Sequence, residues 1–253
     1  MPQTYKKSSL RDTFESLVVT VVLAMFGTTF VIQAFKIPTG SMENTLLIGD
    51  HLLVNKFIFT SQERMPAHLL PVRGLRRGDV VVFKFPPSDE QGEPGQHFVK
   101  RVIGLPGDRI RIFHRQVFVN GRALVEPYVH HLYADELRPG DDFPPPESEY
   151  LPGATSVWTA EMASHIQRGE VVVPPQEYFV MGDNREQSWD SRFWGFVPRE
   201  MIIGRPLLIY WSFETARDEY MHNSPVDRLL QLVDLIIHFP TKTRWRRMLR
   251  FVR

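Results

Sequence analysis

The chain contains no cysteine, which excludes thiolate nucleophiles, cysteine-ligated zinc and disulfides, though it does not fix the compartment. Surplus charge is almost absent too, since 30 Lys and Arg stand against 29 Asp and Glu for a formal +1. The cations are dispersed except at the two ends, so there is no global basic field and no nucleic-acid partner is expected. No repeat of fixed period occurs, which removes solenoids and propellers. Long apolar runs are also missing, with one exception: residues 17–35 hold nothing more polar than Thr20, Thr28, Thr29 and Gln33.

That exception sets the topology. The run exceeds the ~7 to 15 residues of a signal-peptide apolar region, and no small-x-small cleavage site follows it before Lys36, so it reads as a retained membrane anchor. Lys6, Lys7 and Arg11 precede it and keep the N-terminus inside. The expected layout is a cytoplasmic N-terminus at 1–16, a single-pass transmembrane helix at 17–35 with the bilayer edge near Phe35, and an extracytoplasmic remainder. A chain of 253 residues with 43% hydrophobic content has room for one large or two small domains beyond the anchor.

Beyond Lys36 the chain reads as short strands punctuated by Gly and Pro. Residues 46–59 give strand, turn at Gly49-Asp50, strand. Further strands are expected at 80–85, 98–103, 109–119, 170–173, 178–181 and 202–211. Asn120-Gly121 after the alternating 109–119 stretch is a strong hairpin signal. Residues 122–169 differ, with Pro139, prolines 144–146, Pro152 and a helical candidate at 157–167, and read as an inserted cap. The fold class is therefore mainly β: a transmembrane helix, then an antiparallel catalytic core in two parts (36–121 and 170–225) around a smaller subdomain (122–169). The tail, 226–253, reads as a helix over 227–238 ended by Pro240. A second, basic amphipathic helix is expected over 241–253, with Trp245, Met248, Leu249 and Val252 opposite Arg246, Arg247, Arg250 and Arg253, suited to an anionic membrane surface.

Ser41 lies just past the apolar run, after the Pro38-Thr39-Gly40 turn, where Gly40 lets another backbone approach. A serine in a turn is ordinarily only that. As a nucleophile it would need a base, and without cysteine the candidates are His, Lys or a carboxylate. Of the nine histidines, His51 sits inside an apolar strand, His97 ends a polar loop, and His130-His131 fall in the insertion. Lys100 shares a strand face with Phe98 and Val102, while Val99 and Ile103 take the other, so its ammonium should be partly desolvated. Lowering a lysine pKa from ~10.4 to ~8 costs about 3 kcal/mol, within reach of a folded domain. An edge-strand lysine that discourages aggregation is the equal alternative. Arg101 cannot serve, because a guanidinium keeps its proton. Residues 182–198, GDNREQSWDSRFWGFVP, form a polar loop between apolar strands; Asp190 and Arg192 could pair there, Ser188 could orient the amine, and Trp189, Phe193, Trp194 and Phe196 argue against full exposure. No histidine accompanies its carboxylates, so neither a metal nor a cofactor is expected.

IPTGSMENTLLIGDHLLVNKF, RGDVVVFKFP, FVKRVIGLPGDRI and GDNREQSWDSRFWGFVP followed by GRPLLIYWS resemble, in order, the motifs of bacterial type I signal peptidase, a membrane-anchored Ser-Lys serine endopeptidase. The resemblance covers about residues 15–121 and 170–213. It implies Ser41 as nucleophile, Lys100 as general base, and the Ser41 N–H with the Thr39 hydroxyl as oxyanion donors. Ser188 would fix the lysine amine, with Arg101, Asp183, Asp190 and Arg192 as structural charges around the site. Phe35, Ile37, Met42, Leu46, Leu52, Val82, Phe98 and Val99 would line pockets for small residues at −1 and −3 of exported preproteins. The implied partners are those signal peptides, the phospholipid membrane and the translocation machinery, at the bacterial cytoplasmic membrane. Three positions depart from the family: Thr39 stands where serine is familiar, Gln187 where asparagine is, and one anchor replaces two. A self-cleaving repressor-type Ser-Lys protease would carry a DNA-binding domain in place of the anchor. A non-enzymatic membrane-tethered binding module would have no need of Ser41, Lys100, Thr39 and Ser188 together.

Overall fold

The structure, a computed structural model, describes residues 9–59, 73–86, 95–129, 131–132, 137–146, 151–215 and 224–252. Lys6, Lys7, His130, Arg253 and most of the 88–97 loop lie outside them.

Helix α1 (Ser9–Phe26) opens the described chain, continues as a π-helical turn over Gly27–Val31, and gives way to strand β1 (Ile32–Lys36). Gly27 and the β-branched pair after it weaken the helix, and the Thr28 hydroxyl donates back to the Ala24 carbonyl at 2.9 Å. This corrects the expected 17–35 span: residues 32–35 are strand, and Phe35 pairs with Leu52 of β2 (Asp50–Asn55). No helix among the described residues is long and apolar enough to cross a membrane.

The strands that follow are β3 (Val80–Lys84), β4 (His97–Gly104), β5 (Arg109–Phe113), β6 (Gln116–Val119) and β7 (Arg122–Ala123). After α2 (Ser156–His165) come β8 (Ile166–Gln167), β9 (Glu170–Val172) and β10 (Glu177–Met181). Helix α3 (Ser191–Trp194), β11 (Val197–Pro198), β12 (Ile202–Ser212), α4 (Pro225–Lys242) and β13 (Arg250–Phe251) complete the order. One antiparallel sheet runs β1-β2-β12-β3-β4-β10-β11 with β13 against β12, and a second runs β7-β6-β5-β9-β8. The mainly β expectation holds. The first sheet curls, bringing the Phe35 ring on its edge to 5.1 Å from His97 at the start of β4. Strand β3 is buried from Val80 to Phe83, as its unbroken apolar run requires when both faces are covered.

Local readings change at residues 46–49 and 109–119 and hold at Asn120-Gly121. Residues 46–49 are a turn, not a strand: Leu46 N–H bonds the Met42 carbonyl at 2.8 Å, and Gly49 has φ +86°. The 109–119 alternation is two strands, because His114 and Arg115 take φ 47° and 70° and fold it into a hairpin. Asn120-Gly121, at φ 53° and 74°, makes the β6–β7 hairpin that its sequence indicates. Residues 122–169, expected as an inserted cap, supply β7 and β8 to the second sheet. Their α2 buries Trp158 and Met162 in one core with Ile110, Val117, Val171 and Phe179, since strands this short need a shared apolar face to be stable.

In the tail, α4 passes Pro240 and ends at Lys242; a proline in the last turn forfeits little of the helical ladder. The described residues of the 241–253 stretch do not form the expected second helix. A 3-10 turn at Trp245–Arg247 leads to Leu249 at φ 59°, and β13 then pairs with β12 and seats Val252 in the core. An open strand edge with backbone groups to satisfy outcompetes a short helix.

Candidate active site

Ser41 is held at the end of the curled sheet by backbone bonds on both sides. Ile37 N–H donates to the Asp50 carbonyl at 2.8 Å, Gly49 N–H to the Ile37 carbonyl at 2.9 Å, and Asn184 N–H to the Ser41 carbonyl at 3.1 Å. The approach of the 182–192 loop depends on Gly182, where a Cβ would collide with the Ser41 carbonyl and the Ser188 side chain. At Gly40, a Cβ would meet the Glu43 carboxylate at 3.0 Å, so the neighbour there is a side chain rather than the backbone expected.

Lys100, in the middle of β4, is 5% exposed, and its Nζ lies 2.7 Å from Ser41 Oγ. Val102 and Phe98 join the core beneath β3, whereas Val99 joins the other side, as the alternation predicts. Burial pushes the Lys100 ammonium down to about 8; Asp190 pulls it up, Arg192 pushes it down and Asp183 pulls it up. The shift corresponds to about 3 kcal/mol of lost solvation. No imidazole bonds Ser41 among the described residues. His51 stacks on Trp211 with ring centroids 4.6 Å apart, and His131 Nδ1 meets Glu186 at 2.8 Å.

Two buried arginine–aspartate pairs flank Ser41 and Lys100. Arg101 Nε and Nη2 donate to Asp183 at 2.8 and 2.6 Å, and the Thr45 hydroxyl donates to the same carboxylate at 2.5 Å. Arg192 Nε and Nη2 donate to Asp190 at 2.9 and 3.0 Å, and Nη2 also reaches the Arg185 carbonyl at 2.6 Å. Burial alone would raise Asp190; the Arg192 charge and hydrogen bond, then Lys100 and Ser188, hold it below the usual carboxylate range. Ser188 is 5% exposed and accepts from Gly182 N–H at 3.1 Å. Its hydroxyl bonds Asp190 rather than the Lys100 amine, so the orienting contact expected of it is absent here. Thr39 is exposed two residues before Ser41, and the Ser41 N–H has no acceptor among the described residues.

Of the eight expected pocket residues, Ile37, Met42, Leu46, Leu52 and Val82 lie in one core with Phe35 and Val99 packed on it. Phe98 does not join them. It packs in the opposite core with Phe85 and Trp189, at ring distances of 4.9 and 6.4 Å. Glu126 and Tyr128 escaped the sequence reading: Glu126 pairs with Arg185, and the Tyr128 ring lies 3.9 Å from the Arg101 guanidinium. Glu126 lies 59 residues from Arg185 and Tyr128 lies 27 from Arg101, and nothing local marks either.

A family model described as signal peptidase, peptidase S26, matches residues 10–211. The chain belongs to that family. It is a serine peptidase, and the match ends before α4. A probable signal peptidase I-2 of Synechocystis sp. is 36% identical over 199 residues, spanning 78% of this chain and 71% of that protein. The signal peptidase I of Pseudomonas aeruginosa is 33% identical over 220 residues, 78% and 69% of the two chains. That of Leptolyngbya laminosa is 34% identical over 206 residues, 81% of each.

Proposed function

We propose that the chain is a membrane-anchored signal peptidase that uses Ser41 and Lys100 as a catalytic dyad on exported preproteins. The observation that carries this is the buried Lys100 amine, lowered to about 8, at 2.7 Å from Ser41 Oγ. As free amine, Lys100 Nζ accepts the hydroxyl proton while Oγ attacks the scissile carbonyl. The oxyanion that develops is met by the Ser41 N–H and the Thr39 hydroxyl. The lysine ammonium returns its proton to the leaving amine, the acyl-enzyme forms, and water hydrolyses it with Lys100 again as base. Ser188 acts through Asp190 and the loop, or by turning its hydroxyl to Nζ once substrate excludes water.

Among the described residues strand β1 is a sheet edge paired with β2 alone, so an extended signal peptide can add along it. Its −1 and −3 side chains then enter the apolar space by Phe35, Ile37 and Val99, where only small uncharged residues fit. The membrane reading rests on α1 and its π turn. Leu17, Val22, Leu23 and Phe26 are 55–63% exposed with no face of the described residues to cover them, and Lys6, Lys7 and Arg11 keep that end cytoplasmic. This puts the catalytic sheet on the outer side of the bacterial cytoplasmic membrane, beside the translocation machinery that delivers its substrates. The test is cleavage of a purified preprotein by the full chain in detergent, with Ser41→Ala and Lys100→Arg as controls. Equal cleavage by either variant overturns the proposal.

A further inference from the structure

Helix α4 is inverted relative to an ordinary surface helix. Its half-buried positions are Asp227, Gln231, Asp234, Leu235 and Lys242; the last four, flanked by Leu230 and Leu232, line one cavity with Lys36, His51 and Trp211. Lys242 Nζ folds back on Asp234 at 2.7 Å. The opposite stripe, Leu229, Val233, Ile236 and Ile237, is 44–76% exposed, and none of the 18 residues is buried. The spacing of that stripe, i, i+4, i+7, i+8, is what normally faces a core. Trp245, Leu249 and Phe251 extend the surface at 54–71% exposure. Arg228, Arg246 and Arg250 are exposed around it and have no ion-pair partner among the described residues.

An apolar surface of this extent is covered by something in use. Three features select lipid over protein. Tryptophan and phenylalanine with arginines at the margin of an aliphatic stripe is the composition of a helix lying in a bilayer interface. The uncompensated charge is positive, matching anionic headgroups. And α1 gives the same chain a second uncovered apolar surface, already assigned to the membrane. We infer that α4, with Trp245, Leu249 and Phe251, lies flat in the interfacial layer of an anionic bilayer, apolar stripe inward, and holds the catalytic sheet against the membrane. The inference rests on the membrane reading of α1.

The absence of cysteine makes single-site labelling direct. Ile236→Cys, Val22→Cys on α1 and Arg122→Cys on β7 are each labelled with a polarity-sensitive fluorophore in the full chain. Each is reconstituted in phosphatidylcholine–phosphatidylglycerol vesicles containing a nitroxide lipid, with peptide cleavage confirming the fold. At least about twofold stronger quenching at 236 than at 122 is expected, reduced when Arg228, Arg246 and Arg250 all become Gln. Quenching at 22 without quenching at 236 overturns this inference and leaves the anchor standing, whether water or protein covers the label. Quenching at neither position removes the anchor reading and this inference together. Quenching at 236 that ignores the triple substitution overturns the assignment to anionic lipid.

Discussion

With Lys100 as the proposed base of Ser41, the sharpest consequence is pH dependence, because the amine must be free. With Lys100 near 8, about a tenth of the enzyme holds the amine at pH 7 and about a hundredth at pH 6. The logarithm of kcat/KM for preprotein cleavage should therefore rise with slope one below pH 8 and level off above it. Between pH 6 and 9 the gain is about 90-fold. Lys100→Arg keeps the charge but cannot release its proton, so it should lose the general-base factor of about 10²–10⁴ and match Ser41→Ala. Asp190→Asn removes the carboxylate that pulls the lysine up and should move the midpoint of the profile to lower pH. The midpoint is the readout, since the same variant also frees Arg192. A midpoint near 6.5, or Lys100→Arg within tenfold of the parent, would show that a different base serves Ser41.

The same burial has a stability signature of defined sign. The folded-state pKa of Lys100 lies below the unfolded 10.5, so below about pH 8 the folded protein holds a desolvated ammonium at a cost of about 3 kcal/mol. Between pH 8 and 10.5 the unfolded chain binds the proton and the folded one does not, so the penalty fades. Lys100→Met should raise the melting temperature at pH 7, with the difference shrinking toward pH 10.

Further outcomes follow from neighbouring groups. Preproteins with Ala at −1 should be cut at least about 10²-fold faster, in kcat/KM, than those with Asp or Lys there, whose charge would be buried unpaired; comparable rates would refute the pocket. Thr39→Val should lower kcat about 10²-fold with little change in KM while Thr39→Ser stays active, as removal of one oxyanion donor predicts. Gly182→Ala should lower activity more than melting temperature, because its methyl strikes the Ser41 carbonyl and the Ser188 side chain. Tyr128→Leu leaves one face of the Arg101 guanidinium open and should destabilise by about 1 kcal/mol, measured by thermal unfolding of the full chain in detergent.

The parts of the fold that could be read from sequence are those decided by local chemistry. Asn120-Gly121 specifies a turn with two positive φ angles, and the structure uses it so. Alternation along β4 places Phe98 with Val102 and opposes Val99 to them, as found. Hydropathy alone did not fix residues 32–35, because an apolar stretch suits a lipid-facing helix and a half-buried strand equally. The choice falls to Leu52 and its neighbours on β2, which offer a pairing edge. The tail misled for the same reason: Trp245, Met248, Leu249 and Val252 have helical spacing, but β12 presents an edge that takes up Arg250–Phe251 and draws Val252 into the core. Thr45, Glu126 and Tyr128 entered the site through contacts of long sequence separation that no window of sequence contains.

The two arginine–aspartate pairs beside Ser41 explain how Lys100 keeps a lowered pKa among carboxylates. Asp183 and Asp190 both favour its charged form, and left unpaired at this depth they would hold the ammonium protonated. Arg101 and Arg192 sit on those carboxylates at 2.6–3.0 Å, and Arg192 itself pushes the lysine down. The opposing charges offset one another at Nζ and leave desolvation as the dominant influence. The pairs also fasten the 182–192 loop that carries Asn184 and Ser188 against Ser41, so the contacts that hold the site together are the ones that keep its field from reprotonating Lys100. Converting Arg192 to a neutral residue should therefore raise the lysine midpoint above 8 and loosen the loop together, two effects that the pH profile and the melting temperature separate.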